Sequence, residues 1–600
     1  MQISLRKLGW AAAALVIGLV ACNITNDVRP TPIQGSTDNL DRVDVRALVL
    51  GRADGPVIES FDEEVELTSY DGSQDIAEYD LVIFDGDNFT PAAVRDQGVI
   101  SQALQQNKWV LGVDLTGAHK QDGLGSFIGF ASHGDSPGYL VRKGLVNSYH
   151  YVSVVDYPTE GIRNATAAQN LLAASKTRAT VTLEATSAFI ADTLKSIDSE
   201  AVLSSQADPT PPEAPSDLLH AKYIHTQPLI YNLDGPKKTK KGTSYPKQSA
   251  RVDLTTTFHV YLDNKDNPEG NFQWVIAEIE GNANPTSGTN TFANMAKDEK
   301  AWFQDQLAFN IAPAEASDGL FAPTDSAPET ENGKTTISSE VDVSIGFEGK
   351  KGTGEFGYHW GKEREISDWK VDNDTSGNKA AWNYRSGNPY DADKPYGCEA
   401  SGFVGGNGFD WQCWPQDPNA LSKNALQFHA QAVWKTDKVA TEPVEFFSYL
   451  EHRMRDVYCT SDFGAMCLDA QHTEDLSTTQ SLPLGYSIDL SSVVPVVLHF
   501  DDTRVYLNDD PTRDGKITVA TPAPAGGFTV RLSLLDVDGN LSNGSATFPE
   551  TITIPAGQTS APVRITFTNG GPPDNAFGFF LHADAGDVGE HEIEFVVSRE

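Results

Sequence analysis

Cysteine, positive charge and long apolar runs are all scarce in this chain of 600 residues. Only five cysteines occur, and none lies between Cys22 and Cys398. Lysine and arginine number 45 against 83 aspartates and glutamates, which gives a formal net charge of −38. A field of this sign repels phosphate backbones, so nucleic acid is excluded as a partner. After Cys22 no apolar run reaches the roughly 18 residues of a membrane helix, so no helix of the mature chain is expected to span a bilayer.

Motifs for catalysis and cofactor binding are missing as well. Neither the zinc motif HExxH nor a Walker loop occurs. Gly123-Leu124-Gly125, followed by Gly129, misses the dinucleotide-binding spacing and comes several residues after its predicted strand. Carboxylates are so numerous that no pair stands out as an acid and base couple. We therefore expect no enzyme, no cofactor and no metal site.

The N-terminus has the features of an export signal. Arg6 and Lys7 precede an apolar run from Leu8 to Ala21, and Cys22 follows. Such a segment is too short for a lasting membrane anchor, so residues 1–22 are predicted to direct export. The last four of these residues resemble a bacterial lipobox, which would make Cys22 a lipidation site; the alternative is an ordinary cleaved signal. Residues 23–42 are polar and would serve as a tether at the outer surface.

Residues 43–206 are predicted to form an α/β domain. Val45–Gly51, Asp80–Asp85 and Trp109–Asp114 are short apolar runs typical of strands buried on both faces. Pro91–Asn107 has the pattern of an amphipathic helix with Thr90 as its N-cap. The layout resembles flavodoxin-like and glutamine-amidotransferase-like domains. Because the amidotransferase nucleophile is a cysteine, which is absent here, the domain is expected to be non-catalytic. The Pro-rich residues 207–216 are predicted to be a linker.

Residues 217–496 are rich in predicted strands, and one hairpin among them, residues 335–367, has two chemically different faces. Its arms are Ile337–Phe347 and Glu355–Ile366, joined by a Gly-rich turn. Successive strand residues point to opposite sides. One side is therefore apolar, with Ile337, Val341, Val343, Ile345, Phe347, Phe356, Tyr358 and Trp360. The other is polar and acidic, with Glu340, Asp342, Ser344, Glu348, Glu355, His359 and Glu363.

Two environments suit such a hairpin. In a soluble sandwich the apolar side would cover the core and the acidic side would face water. In a transmembrane barrel the apolar side would face lipid, and the acidic side would line an aqueous lumen that favours cations. Each arm has about the 9–11 residues that a membrane-spanning strand needs. The alternation alone fits both environments.

The order of elements around the hairpin resembles the leukocidin/hemolysin family of β-barrel pore-forming toxins. The matching segments are Ser338–Phe347, Phe356–Trp360, the return strand Arg364–Val371, Asn378–Tyr384 with Lys379 and Trp382, and Gln427–Trp434. The arms here are shorter and more charged than the usual stem of that family. The resemblance implies an antiparallel β-sandwich over roughly residues 217–495, and a hemolysin that assembles on a target membrane.

The four cysteines after Cys22 predict two disulfides, since an even number in an exported chain is typical of such bonds. Three connectivities are possible, and the sequence-local one, Cys398–Cys413 with Cys459–Cys467, is preferred. A zinc site is the alternative, but neither spacing has the CxxC form and no histidine lies at ligand spacing.

The Cys398–Cys413 bond would close a glycine-rich loop that is unusually aromatic. Aromatic rings on such a loop suit a membrane interface or stacking on sugar rings, whereas simple burial is the other interpretation. A lipid headgroup or a glycan is the receptor class that the first interpretation predicts. The rings in question are Phe403, Phe409, Trp411 and Trp414.

Residues 497–600 are predicted to form a small β-sandwich, because short strands recur there at sandwich spacing between Pro, Gly and Asn residues. Pro522–Gly527 and Ile554–Thr559 resemble bacterial immunoglobulin-like or Calx-β repeats, which implies a spacing or attachment role. Asp536–Asn540 is similar to a calcium loop but lacks the distal glutamate, so an ordinary turn is expected.

The sequence thus predicts a multidomain protein that is mainly β after an α/β N-terminal domain. Two functions of different class fit it. The first is an exported, secreted or surface-anchored cytolysin whose copies form a ring on a target membrane, each inserting one hairpin. Closing a barrel satisfies the backbone hydrogen bonds that lipid cannot. The alternative is a surface lipoprotein of adhesive or ligand-binding type, with an ordinary half-buried hairpin.

Overall fold

The computed structural model describes most of the chain from residue 45 onward. The described residues are 45–52, 58, 65–146, 149–156, 159–160, 211–215, 218–233, 248–263, 272–285, 302–314, 322–332, 336–349, 352–367, 369–387, 396–400, 411–415, 420–423, 425–436, 440, 443–459, 462–463, 466–467, 473–494, 496–500, 502–519, 523, 526–568, 577–585 and 590–598. The predicted export signal with Cys22 and the tether lie outside them. Within these ranges no helix is long and apolar enough to cross a membrane.

One layer of the molecule is a mixed sheet of 12 strands in the order β13-β23-β11-β10-β9-β7-β6-β4-β3-β1-β2, with β8 paired to β9. Alternate residues of its long central strands are apolar and face the core, as period-two patterning predicts. The strands are β1 Arg46–Leu50, β2 Glu66–Ser69, β3 Leu81–Asp85, β4 Trp109–Leu115, β6 Ser136–Val146, β7 Tyr149–Asp156, β8 Thr159–Glu160, β9 His220–Leu233, β10 Gln248–Asp263, β11 Phe272–Pro285, β13 Ala322–Ala327 and β23 Leu426–Lys435.

A second sheet of 7 strands packs against the first, in the order β14-β19-β20-β12-β24-β27-β5. Its strands are β5 Phe130–Ser132, β12 Phe303–Pro313, β14 Glu331–Asn332, β19 Trp369–Asn373, β20 Ala380–Ser386, β24 Pro443–Cys459 and β27 Thr473–Asp489. Rings from both sheets meet in the core: Phe258 lies 5.3 Å from Phe446 and 5.2 Å from Tyr486 between ring centroids. The mainly β architecture that the sequence predicts for this part of the chain is confirmed.

The N-terminal strands continue the long sheet, and the α/β domain predicted for residues 43–206 is not supported. β1, β2, β3 and β4 pair in parallel, but β6 and β7 are antiparallel, and β7 pairs directly with β9. The apolar runs reflect burial on both faces, since Leu48 and Val82 belong to the main core while Val49 and Ile83 belong to a separate cluster on the other face. Two-sided burial makes such runs but does not require an independent domain.

Helices are scarce in the described residues and all are short. They are α1 Pro91–Arg95, α2 Gly98–Gln105, α3 Gly125–Ile128 and α4 Ala420–Lys423, with a π-helical turn at His119–Leu124 and 3-10 turns at Ile76–Glu78, Leu490–Val493 and Asn543–Ser545. The single helix predicted over Pro91–Asn107 is therefore two. Thr90 caps the first, its side chain accepting from the Ala93 N–H at 3.1 Å. The Gln97 N–H donates a hydrogen bond to the Val94 carbonyl. This turn ends α1, and α2 begins at Gly98.

A buried charged group joins the N-terminal strands to the sandwich. Asp156 at the end of β7 accepts from Lys120 at 3.2 Å, from Ser132 at 2.6 Å and from Ser136 at 2.6 Å, and its carboxylate lies 3.0 Å from Nε2 of His225 on β9. Burial alone would raise the pKa of Asp156, but Lys120, His225 and Ser132 outweigh it and hold the pKa well below its usual range. The carboxylate is therefore an ionised, fully satisfied node between β5, β6, β7 and β9.

The C-terminal strands form the small β-sandwich that the sequence predicts, while its likeness to immunoglobulin-like or Calx-β repeats stays a prediction. Two sheets, β28-β30-β34-β32 and β29-β36-β35-β31-β33, enclose an apolar cluster that is separate from the main core. The strands are β28 Val496–Phe500, β29 Arg504–Tyr506, β30 Thr512–Val519, β31 Phe528–Asp536, β32 Ala546–Thr547, β33 Thr551–Ile554, β34 Ser560–Phe567, β35 Phe577–Asp584 and β36 Glu590–Ser598. In the turn after β31, the Asp536 carboxylate accepts from the backbone of Asp538 and Asn540 at 3.0 and 2.9 Å, as expected for an ordinary turn.

Candidate functional site: a hairpin lying on the long sheet

The two-faced hairpin belongs to neither layer of the sandwich. Its upper part pairs β16 Val341–Gly349 with β17 Gly352–Trp360, from Val341↔Trp360 to Gly349↔Gly352. Its base pairs β15 Thr336–Ser338 with β18 Glu363–Glu365. Each predicted arm is thus two strands, because the ladder is interrupted between them, where Gly361 packs so close to the backbone of Glu340 that a Cβ atom would lie 2.4 Å from its Cα.

The apolar side of the hairpin is buried against the outer face of the long sheet. The ring of Phe356 lies 5.7 Å from that of Tyr261 on β10, and the ring of Tyr358 lies 6.1 Å from it. Each fully buried side chain of this size stabilises the packed position by roughly 1.5–3 kcal/mol. The cluster joins Val341, Val343, Ile345, Phe356, Tyr358 and Trp360 to Leu218, Tyr261, Ile276, Ala327 and Val433, with Phe347 partly buried beside it. Ile337, at the base, is buried in the main core instead.

The polar side of the hairpin faces solvent. Glu340, Asp342, Ser344, Glu355, His359 and Glu363 are all exposed. His359 contacts Asp342 through Nδ1 at 2.8 Å, and Ser344 donates a hydrogen bond to Glu355. The side chain of Glu348 lies outside the described residues. The structure therefore separates the two faces as the alternation predicts, and the lipid-facing and lumen-lining roles stay predictions.

The outer edge of β16 is covered by two carboxylates of the sandwich. The Gly346 N–H donates to Asp263 at 3.1 Å, and the Asp342 N–H donates to Asp325 at 3.4 Å. Both N–H groups point away from β17, so they are the ones that a further strand would pair with. A free strand edge invites association with other chains, and charged caps suppress it.

The hairpin base lies on a group of polar and charged side chains, which we call the base network. It consists of buried Glu278 and half-buried Glu280 on β11, buried His429 on β23, and buried Lys362 of the hairpin. Lys362 Nζ lies 2.5 Å from Glu280 and 3.6 Å from Glu278, while His429 Nε2 lies 2.8 Å from Glu278. Ser339 of the hairpin bonds the other nitrogen of His429. Burial alone would raise the pKa of Glu278, but His259, His429 and Lys362 outweigh it and hold the pKa below its usual range.

Several polar atoms beside the base network have no hydrogen-bond partner within the described part of the chain. They are the Tyr358 hydroxyl, Trp360 Nε1, and both side-chain polar atoms of Gln431, which lies opposite Glu278 in the β11–β23 register. An unsatisfied buried polar group costs about 1–3 kcal/mol. The apolar side chains therefore stabilise the packed position of the hairpin, and the unsatisfied polar atoms destabilise it.

Among the residues that the structure describes, two groups of acidic and histidine side chains bring ligand atoms within 4.8 Å of one another: Glu278, Glu280 and His429, and Asp85, Asp87 and Asp114. In the first group the ammonium of Lys362 already lies against both carboxylates and supplies the positive charge. In the second, Asp85 accepts from the Asp87 N–H at 2.8 Å and from Asn88 at 3.0 Å. Neither geometry points to a bound metal.

Sequence reasoning passed over one motif, the GxSxG spacing of Gly134-Asp135-Ser136-Pro137-Gly138. In serine hydrolases this spacing places the serine on a turn between a strand and a helix, with its hydroxyl exposed. Here the serine is the first residue of strand β6, and its buried hydroxyl lies 2.6 Å from the Asp156 carboxylate and 2.6 Å from the Gly138 carbonyl. Since Ser136 and His225 both bond the same carboxylate, the arrangement is a structural node and lacks the order of a catalytic triad.

The predicted aromatic contact loop is described only in part. β21 Tyr396–Ala400 pairs with β22 Trp411–Pro415, and this register sets Cys398 opposite Cys413. Cys459 pairs with Thr473, and Cys467, in the short hairpin β25 Asp462–Phe463 and β26 Met466–Cys467, pairs with Asp462. Phe403 and Phe409 and the side chains of Trp411, Trp414 and the four cysteines lie outside the described residues, so the contact role and both disulfides stay predictions.

Comparisons with known proteins give only weak structural likenesses. No protein-family profile matches the chain, and no curated protein sequence matches it. A structure titled "Pore forming protein" is 11% identical, covers 47% of this chain and 96% of its own, and has a TM-score of 0.28. Clostridium perfringens delta-toxin is 12% identical, covers 45% and 90%, and has a TM-score of 0.25. Clostridium perfringens NetB toxin in its membrane-inserted form is 11% identical, covers 42% and 96%, and has a TM-score of 0.20.

Proposed function

We propose that this protein is a β-barrel pore-forming cytolysin that carries residues 335–367 as its membrane-inserting stem. The observation that supports this most is the hairpin's independence. Among the described strands it pairs with none of either sandwich layer, and it packs on the long sheet through side chains. An ordinary half-buried hairpin of a sandwich would share its ladder with the neighbouring strands. This one can leave without breaking a backbone ladder of the sandwich.

The dimensions and chemistry of the stem support the same proposal. β16 and β17 have 9 residues each, within the range that spans a bilayer as a tilted strand. One hairpin alone would leave unpaired edges in lipid, so several copies must combine their hairpins into one closed barrel. The apolar residues would then face lipid, and Glu340, Asp342, Glu355 and Glu363 would line a lumen that favours cations.

The remaining parts of the proposal follow from this role. The protein acts after export, at the membrane of a target cell, where a lipid headgroup or glycan is the receptor class and copies of the chain are the other partner. Lipid anchoring through Cys22 before action, and disulfides in the exported chain, belong to the same proposal. No catalytic activity is part of it.

A reversible staple between the hairpin and the sandwich tests the proposal. The Asp325 carboxylate accepts from the backbone N–H of Asp342 at 3.4 Å, so the double variant Asp325→Cys/Asp342→Cys places two thiols on neighbouring residues, one in the sandwich and one in the hairpin. We expect the oxidised variant to bind liposomes without releasing a trapped dye, and a mild reductant to restore release. The single variants, with and without the reductant, are the matched controls.

Dye release by the oxidised double variant at the rate of the unmodified protein, once the staple is verified by mass spectrometry, would refute the stem assignment. No release by the unmodified protein, from liposomes or from red cells, would favour the adhesive surface lipoprotein instead.

A further inference from the structure

The part of the long sheet beneath the hairpin base is polar, although the hairpin buries it. Charged and titratable groups face this contact from every element that forms it. They are His220 and Lys222 on β9, His259 and Tyr261 on β10, Glu278 and Glu280 on β11, His429 on β23, and Tyr358, Lys362 and Arg364 of the hairpin. Arg364 lies 3.8 Å from Glu280, and His259 Nε2 lies 3.9 Å from Glu278.

Two histidines of this contact, His220 and His259, are kept neutral by burial in the closed state. His220 and His259 are buried, and their rings stack at 5.6 Å. Burial lowers the pKa of His220 well below its usual value, and the charges of His259 and Lys222 lower it further. Burial also lowers the pKa of His259, although Glu278 partly opposes this. Protons therefore bind these rings more weakly while the hairpin covers them.

Protonation of Glu278 would also favour the open state of the hairpin. Its ionised form accepts from His429 and attracts Lys362 of the hairpin, so protonation would remove the anion that anchors the hairpin base. Neutralising one partner of a buried ion pair is unfavourable, and Lys362 would then keep only Glu280 as its anion. The closed hairpin is thus favoured while Glu278 stays ionised and His220 and His259 stay neutral.

We propose that the base network and the two histidines beside it, His220 and His259, form an acid-sensitive latch: protonation of these two histidines, followed by Glu278, releases the hairpin from the sheet while the sandwich stays folded. The trigger is hydronium alone, with no other ligand. The inference concerns the regulation of the proposed stem, and so its meaning for pore formation rests on the proposed function, whereas the release itself can be measured without any membrane.

The direction with pH follows from proton linkage. A histidine whose pKa is depressed in the closed state favours closure above its ordinary value, about 6.5, and favours opening as the pH falls below it. Glu278, whose pKa is also depressed, supports closure above about 4.3 and loses that effect at lower pH. At pH 5.5 each neutral histidine that becomes exposed shifts the open-to-closed ratio by up to about tenfold.

Amide hydrogen exchange from pH 7.5 to 5.0, corrected for the intrinsic pH dependence of exchange, tests the latch without lipid. We expect exchange of peptides from Val341–Trp360 to rise by about 10- to 100-fold at pH 5.5, while peptides of β10, β11, β24 and β27 stay protected. His259→Gln should remove one proton-binding ring and reduce this rise about tenfold. The matched control is His452→Gln. His452 is buried in the sandwich between Tyr231 at 2.9 Å and Gln304 at 3.1 Å, so its replacement should leave the rise unchanged.

Equal exchange of the hairpin peptides at pH 7.5 and 5.5, or loss of sheet and hairpin protection together, would overturn the latch. Parallel dye release from liposomes separates this inference from the proposed function. Hairpin release in acid without leakage supports the latch and counts against the pore, whereas leakage at pH 7.5 with no acid-dependent exchange supports the pore and counts against the latch.

Discussion

Arginine at two adjacent stem positions distinguishes a membrane strand from an ordinary one. Val343 lies near the middle of the predicted arm Ile337–Phe347 and is 4% exposed, within the apolar cluster formed with the long sheet. Ser344, the next residue, is exposed and donates to Glu355. The two positions share a backbone environment and differ only in the face they occupy. Val343→Arg and Ser344→Arg are therefore matched variants.

The structure sets the size of the effect in solution. Val343→Arg removes one buried valine, about 1.5–3 kcal/mol, and places a guanidinium against apolar side chains, which adds a desolvation cost. The hairpin cluster is separate from the main core, so the loss should fall on hairpin packing and leave the sandwich folded. We expect exchange of the hairpin amides to rise about tenfold or more, with little change in the melting temperature. Ser344→Arg should change neither.

In lipid the same substitution has a second cost. An arginine near the bilayer midplane on the lipid side of a barrel costs about 2–4 kcal/mol per subunit, and each copy in a ring adds its own share. Val343→Arg should therefore release the hairpin in solution but abolish dye leakage. Ser344→Arg would point into the lumen, retain leakage and reduce the preference of the channel for cations.

Leakage and planar-bilayer recording, beside hydrogen exchange of the soluble protein, measure these effects. Equal leakage by Val343→Arg and Ser344→Arg would mean that the alternation of β16 does not describe a lipid-facing strand. Global unfolding by Val343→Arg would show that the hairpin cluster is part of the sandwich core, contrary to the separation described above.

The junction of the N-terminal strands with the sandwich gives two further predictions. Asp156→Asn leaves Lys120 buried without its anion and should lower the free energy of unfolding by about 3–5 kcal/mol in chemical denaturation; a change under 1 kcal/mol would contradict an ionised node. A chain that begins at Leu218 removes β7 from the edge of β9 and should aggregate or fail to fold, which size-exclusion chromatography and circular dichroism would show, whereas a monomer with a native spectrum would contradict it.

The two faces of the hairpin are readable from sequence because strand alternation is local. Val343 and Ser344 differ in polarity, and their faces follow from a period of two. The surface that the hairpin covers is not local information. Lys362 meets Glu280, which is 82 residues away, and Glu278 alternates with apolar neighbours just as a solvent-facing glutamate would. The base network could therefore not be predicted, although the hairpin and β11 both follow the period-two alternation.

The N-terminal region shows the opposite case, in which a correct local pattern suggested the wrong context. The parallel strands β1, β3 and β4 were predictable from their apolar runs, which reflect burial on both faces. Two-sided burial is also produced by extending a sandwich sheet, and β7 makes that extension by pairing with β9. Asp156 sits at this junction, where its partners come from residues 120 to 225. Its role depends on tertiary contacts that no window of sequence contains.

The groups that stabilise the hairpin contact and the groups that destabilise it lie in different parts of the contact. Its upper half is held by apolar packing around Tyr261, which a lipid environment would replace at little cost because both surroundings are apolar. Its base buries Glu278 and Lys362. Beside them lies the Tyr358 hydroxyl of β17, which has no hydrogen-bond partner among the described residues, and all three groups gain hydration once the hairpin leaves. When the hairpin is released, it loses apolar contacts that lipid can replace. At the same time its buried polar groups become hydrated, which satisfies them better than the closed state does. The two carboxylates that cover the edge of β16 suppress pairing between chains until that release. A change at the base can thus move the whole hairpin, since the base is where the closed state is least satisfied.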